Sequence, residues 1–322
     1  MLNDSDNFYP EKPKLSIPPK GSNTSKYILI VGFMMLLFSS LSSANYWVIL
    51  FVLGTVVLHE FGHFIGMRLF SYNEPNFIFY SIIAQKAKNR FKPISQKNKI
   101  LTLQMGPIPG LIIGTVLFYA ALESKSEVLF VISMILLTIN MFSLLPIDPL
   151  DGGNIIKNLF FPKSQKPYLI FVLISSLIII IAGYFTGLYM LMILGFLMGF
   201  KVRGIQKNML IYDELEEQDI NYNQSYSNLT DRDYWKIRNV FLDFSPKLES
   251  IIPSRSEIWE NEKLLSNQVK QLLKADIKLD ASPFLIVLSF AIYLFCLLIP
   301  VYLYLTYNET IIGVFQNLSM NV

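Results

Sequence analysis

Long apolar runs limit this chain more than any other feature. A helix crossing a bilayer needs roughly 17–25 predominantly apolar residues. Runs of that kind fall at residues 27–42, 46–70, 100–122, 128–146, 168–182, 185–200 and 284–304. The fifth and sixth are short, and Gly183 and Gly187 between them predict a tight hairpin. Charged residues make up 16% of the chain and mean hydropathy is +0.43, where an ordinary globular domain is about 25% charged. The expected fold is an all-α polytopic membrane protein of about seven transmembrane helices, embedded in a lipid bilayer.

Basic residues orient it. Lys12, Lys14, Lys20 and Lys26 precede the first run, and Arg68, Lys86, Lys88, Arg90, Lys92, Lys97 and Lys99 follow or flank the end of the second. Lys157, Lys163 and Lys166 follow the fourth, and Lys201, Arg203 and Lys207 follow the sixth. The positive-inside rule then predicts a cytoplasmic N-terminus and an external C-terminus. The same rule accounts for the net charge of +3, so nothing implies a nucleic-acid partner. The lone Cys296 allows no internal disulfide and reads as a small buried hydrophobe.

Four organisational units are expected. Residues 1–26 carry Pro10, Pro13, Pro18 and Pro19 among polar side chains, which predicts a disordered cytoplasmic tail. Residues 27–200 form a six-span core. Residues 201–282 are polar and predict a small cytoplasmic helical region, with Thr230 as a helix N-cap and a stripe of Ile258, Leu265, Val269 and Leu272. The acidic run Asp213–Asp219 reads there as a solvated face. Residues 283–322 give the last span and an external tail. Between the second and third spans, NFIFYSIIAQ (76–85) is too short to cross as a helix and predicts a short membrane-associated β segment.

Both histidines of the chain lie in HEFGH, His59 to His63. Four-residue spacing places them on one helical face, where both imidazoles can ligate one zinc ion, with Glu60 beside them as a base for a metal-bound water. Two histidines placed at random have this spacing and this glutamate at odds on the order of one in several thousand. Ionisable groups at membrane depth are costly and usually functional, which outweighs two satisfied bundle histidines. A third ligand is then needed. SLLPIDPLDGGNI (143–155) follows the fourth run at matching depth and supplies Asp148 and Asp151, with Pro146 and Pro149 interrupting the helix.

HEFGH followed by LLPIDPLDGG two spans later resembles the site-2 protease family of intramembrane zinc metalloproteases. MGPIPG, Met105 to Gly110, resembles the glycine–proline start of that family's intervening helix. The resemblance covers about residues 46–155. It implies one Zn2+ per chain held by His59, His63 and Asp151, with Glu60 as catalytic base. Ser143 stands at the family's asparagine position and Asn140 lies one turn earlier; both are expected to face substrate. Asp148 stands where the family pattern has a proline. There is no room for a PDZ domain after the second span, and residues 201–282 do not read as a paired CBS module. The implied substrate is a single-span transmembrane protein cut within or near the membrane, with Phe77, Phe79 and Ser81 on a strand that pairs with the unwound substrate.

The alternative is a catalytically silent relative acting as a membrane binding or regulatory protein, for which Ser143 and Asp148 are the sequence support. A zincin completed by Glu214, Glu216 or Glu217 lacks a matching pattern at membrane depth. A metal transporter would carry polar residues along several spans, and the last three carry almost none. Richness in Asn, Lys and Ile suggests a bacterial inner membrane.

Overall fold

A computed structural model describes residues 9–14, 46–70, 94–148, 150–187, 189–273 and 277–320. The expected span at 27–42 and the expected strand with Phe77, Phe79 and Ser81 lie outside the described residues. The described chain is mostly helical. Its elements are α1 (Tyr46–Leu69), β1 (Ile94–Ser95), α2 (Gln96–Met105), α3 (Pro107–Ser124), α4 (Glu127–Ser143), α5 (Asp151–Phe160), α6 (Gln165–Thr186) and α7 (Tyr189–Glu217). They continue with α8 (Asp231–Asp243), α9 (Pro246–Glu249), α10 (Glu262–Leu272), β2 (Ile277–Lys278), α11 (Pro283–Thr306) and α12 (Asn308–Met320).

Four stretches among the described residues are long and apolar enough to cross a membrane: α1, α2 with α3, α6, and α11. The apolar helix α4 is shorter, at 17 residues. Its neighbours explain the arrangement of α1. Thr55, His59, Gly62, His63, Gly66 and Met67 form its buried stripe, at the spacing of one helical face. The other face exposes Val57, Phe61, Ile65 and Leu69, as a lipid-facing surface requires. Buried glycines set the depth of contact. A β-carbon on Gly62 would lie 2.0 Å from the Met105 carbonyl oxygen, and one on Gly66 would press on Thr102 at 3.1 Å. Glycine at these positions lets α1 and α2 approach backbone to backbone.

The run expected as one span at 100–122 is two helices. Pro107 has no N–H to continue the ladder, and α2 ends at Met105 while α3 starts at Pro107. MGPIPG therefore lies at an interruption inside the span and not at its start. The α6–α7 hairpin turns at Gly187, which takes the left-handed conformation at φ 69°, while Gly183 remains helical and buried within α6.

α7 runs on past residue 200 and delivers Ile211, Tyr212 and Leu215 to a second core with Tyr222, Tyr226, Leu229, Tyr234, Trp235 and the buried faces of α8 and α10. The junction between apolar and polar regions is thus a continuous helix. Thr230 caps α8 by accepting from the Asp233 amide at 3.0 Å, as its sequence position predicts. Ile258, expected on the α10 stripe, lies before that helix and is exposed; Leu265, Val269 and Leu272 are buried as expected. At the core of this polar module Arg238 and Glu262 form a buried ion pair at 2.7 Å, and the Tyr234 hydroxyl donates to the same carboxylate at 2.7 Å. Strand structure among the described residues is confined to β1 and β2, which pair in parallel with Ile94 opposite Ile277 and Ser95 opposite Lys278. The end of the chain expected as an external tail contains α12.

Candidate metal centre

His59 and His63 extend from the buried stripe of α1 towards the start of α5. Asp151 is the first residue of α5, reached through irregular chain after α4. Ile147 N donates to the Leu145 carbonyl at 2.7 Å, and Leu150 N to the Ile147 carbonyl at 2.8 Å. The first turn of α5 lies directly on that segment. A β-carbon on Gly152 would meet the Leu144 carbonyl oxygen at 2.0 Å, and one on Gly153 would meet Ile147 at 2.4 Å. The two glycines of LDGG thereby bring Asp151 to the histidines.

Asp151 Oδ2 lies 2.9 Å from His59 Nε2 and 3.3 Å from His63 Nε2, and the two Nε2 atoms are 3.2 Å apart. All three side chains are buried. The outer ring nitrogens determine what these atoms are. His59 Nδ1 faces Asn140 Oδ1 at 2.9 Å, and Asn140 Nδ2 donates to the Leu136 carbonyl at 2.8 Å, which fixes the amide with its oxygen towards the imidazole. His63 Nδ1 faces the Thr102 carbonyl at 2.9 Å. Each Nδ1 must donate, so each neutral ring presents an Nε2 lone pair.

Three acceptors thus converge at about 3 Å with no proton of their own to share. One added proton satisfies one pair; a metal ion satisfies all three. Two ligand atoms each about 2.1 Å from a tetrahedral zinc are separated by roughly 3.4 Å, close to the spacing observed. Asp151 Oδ1 is buried and has no hydrogen-bond partner among the described residues, as suits a carboxylate whose charge is met by a cation. Two imidazoles and one carboxylate, each imidazole backed by a carbonyl, form a donor set that zinc accepts. The residues present fit the metal.

Asp148, the other carboxylate of the segment, is also buried but is directed elsewhere: its Oδ1 accepts from the Tyr168 hydroxyl at 2.8 Å. Asn140, expected to face substrate, is fully buried and commits its side chain to His59 and to its own helix. The Ser143 hydroxyl donates to the Asn140 carbonyl at 2.8 Å. Glu60 is half-buried and follows His59 directly on α1.

Thr102, Tyr168, Gly106 and Gly110 were not singled out individually by the sequence. Thr102 contributes only a backbone carbonyl, which side-chain identity does not announce. The glycines contribute space: a β-carbon on Gly106 would lie 2.3 Å from His63 Nε2, and one on Gly110 would lie 2.1 Å from Asn140 Nδ2. Their four-residue spacing within MGPIPG, which puts both on one helical face, is the signal that could have found them. Comparison with family models, with curated proteins and with solved structures gives no match to this chain.

Proposed function

We propose that this chain is an intramembrane zinc metalloprotease that hydrolyses a peptide bond within or near the transmembrane segment of a membrane-protein substrate. The observation that carries the reading is the convergence of His59 Nε2, His63 Nε2 and Asp151 Oδ2, with both Nδ1 atoms held by carbonyls.

Bound zinc lowers the pKa of its water to about 7 and polarises a carbonyl. The protein does the rest. His59, His63 and Asp151 hold the ion, and three protein ligands leave a fourth position for water. Asn140 and Thr102 keep the imidazoles in the Nδ1–H tautomer. Glu60 is next to His59 in sequence and only half-buried, so its carboxylate can take a proton from the attacking water and deliver it to the leaving amine. The exposed faces of α1, α3, α4 and α11 exclude bulk water by presenting apolar side chains to lipid.

The reading includes the finer expectations of the sequence: seven spans in a bacterial inner membrane, a cytoplasmic N-terminus, an external C-terminus and a single-span substrate. His63 lies seven residues before Phe70, about 10 Å from the inner end of the expected span 46–70 at ~1.5 Å per residue.

The test is zinc analysis together with cleavage of transmembrane reporters by detergent-purified protein. About one zinc per chain is expected, removed by Asp151→Ala. Glu60→Gln should keep the zinc and abolish cleavage. Retained cleavage by the Glu60→Gln protein would refute the proposal, and zinc without cleavage of any reporter by wild type would favour the binding-protein alternative.

A further inference from the structure

The segment Tyr9–Lys14, YPEKPK, lies on the polar module formed by the end of α7, α8 and α10. Its contacts are those of a bound peptide. The Lys12 ammonium donates to the carbonyls of Tyr226 at 3.0 Å, Ser227 at 3.2 Å and Leu229, matching its three N–H bonds to three acceptors. The Tyr226 ring lies 5.7 Å from the same nitrogen. The Lys12 amide donates to Asp231 Oδ1 at 2.9 Å. Two aromatic donors read the prolines: Trp235 Nε1 donates to the Pro10 carbonyl at 2.7 Å, and the Tyr226 hydroxyl donates to the Pro13 carbonyl at 2.8 Å. Tyr9 packs against the module core.

Pro10 and Pro13 are in P-x-x-P spacing. A polyproline helix has three residues per turn, so such prolines share an edge and offer carbonyls that the chain itself does not use. Aromatic-lined sites exploit this, because a segment already restricted by proline loses little entropy on binding. Here indole and phenol donors take the proline edge while a cage of turn carbonyls takes the lysine. These contacts cross 213 to 225 residues of sequence, so no local structure imposes them.

We propose that the polar module is a recognition site for lysine-bearing P-x-x-P segments, and that the chain's own Tyr9–Lys14 is its resident, exchangeable ligand. A covalently linked ligand acts at high effective concentration, so it holds the site against free peptide until a competitor is abundant.

The experiment uses the full-length chain in detergent. The probe is a fluorescein-labelled peptide with the sequence of residues 7–15. A Pro10→Ala/Lys12→Met/Pro13→Ala chain, with its site vacated, should bind the probe saturably, and the wild type at least about tenfold more weakly. Replacing the lysine of the probe that corresponds to Lys12 by methionine, or adding Tyr226→Phe to the vacated chain, should each weaken binding at least about tenfold. No saturable binding at millimolar probe, or equal binding of the methionine probe, overturns the proposal.

A second measurement needs no tail variant. Acetylation of wild type, read by mass spectrometry, should modify Lys12 at least about tenfold more slowly than exposed Lys14. Millimolar unlabelled peptide should speed modification of Lys12. Equal rates, or a slow rate that peptide leaves unchanged, would make the segment either unbound or a fixed part of the fold, and would overturn the proposal.

Discussion

Asn140 Oδ1 lies 2.9 Å from His59 Nδ1, and the Asn140 amide nitrogen is anchored on its own helix. The pair couples α4 to α1 and fixes which nitrogen of His59 is available to a metal. Asn140→Ala should therefore lower zinc affinity by about 10–100-fold, while Asp at the same position, which still accepts from Nδ1, should retain most of it. Competition with a chromophoric chelator measures both. Equal affinities for wild type and Asn140→Ala would remove Asn140 from the metal site.

Asp151 and Asp148 should separate cleanly. Asp151→Ala is expected to empty the zinc site. Tyr168→Phe removes the hydroxyl that donates to Asp148 and should leave zinc content at wild-type level while costing about 1 kcal/mol of stability. Metal analysis and thermal unfolding of each variant check this. Zinc loss with Tyr168→Phe would bring Asp148 into the site.

Gly106→Ala places a methyl group against the His63 ring, where the added carbon would be 2.3 Å from Nε2. Zinc binding should fall below detection. Gly204→Ala is the control, because a β-carbon there meets nothing within 4 Å; removing a helical glycine should stabilise by about 0.5–1 kcal/mol. Zinc retention by Gly106→Ala would show that α2 and α3 can shift to admit the carbon.

The polar module should depend on Glu262, whose two oxygens accept from Arg238 Nε at 2.7 Å and Nη2 at 3.1 Å. Glu262→Gln leaves a buried guanidinium without its counter-charge and should destabilise the module by about 3–5 kcal/mol. Denaturant unfolding followed by Trp235 and Trp259 emission reports the change. A midpoint equal to wild type would mean that the pair is dispensable.

Tyr234 gives the module an alkaline limit. Burial, then the hydrogen bond to Glu262, hold its phenol well above the usual range. The unfolded residue releases its proton at about pH 10 and the folded one does not. Its contribution is fully present below that pH and is lost as pH rises beyond it, by at most about 1.4 kcal/mol per pH unit. Unfolding midpoints measured between pH 8 and 11 should fall above pH 10, and less steeply in Tyr234→Phe.

The candidate metal ligands are legible in the sequence because their chemistry is local. HEFGH puts two candidate ligands on one face by helical periodicity alone; the scarcity of other donors at that depth leaves Asp148 and Asp151, and only the resemblance of LDGG to the family motif prefers Asp151. What stacks those segments is not local. The break at Gly106 was written in Pro107, yet a proline at a first helical turn and a proline inside a span look alike until a neighbour is known. Asn140 reads in the sequence as substrate-facing, because a buried amide and a substrate-facing amide have the same letter. The attachment of Tyr9–Lys14 was illegible for a stronger reason: the carbonyl cage that holds Lys12 is backbone, assembled by a turn more than 200 residues away, and proline among polar residues otherwise signals an unfolded tail. The α7 crossing from apolar to polar sequence shows the converse, since a composition boundary need not be a structural one.

The interruption at Gly106 has an electrical meaning. A helix that stops is a partial charge of roughly half an elementary unit, negative at its carboxyl end and positive at its amino end. α2 stops at Met105, and the Thr102 carbonyl in its last turn is the one that meets His63. α5 starts at Asp151 itself. One helix thus ends with its negative pole beside an imidazole, and another begins with its positive pole beneath a carboxylate. In a continuous span these poles would lie at the membrane surfaces, where water screens them. Interrupting the backbone moves them to the depth of the ligands, where the low dielectric leaves them strong. There the positive pole favours the ionised carboxylate, and the negative pole favours an imidazole that holds a proton on its outer nitrogen, towards Thr102, with Nε2 turned to the other two ligand atoms.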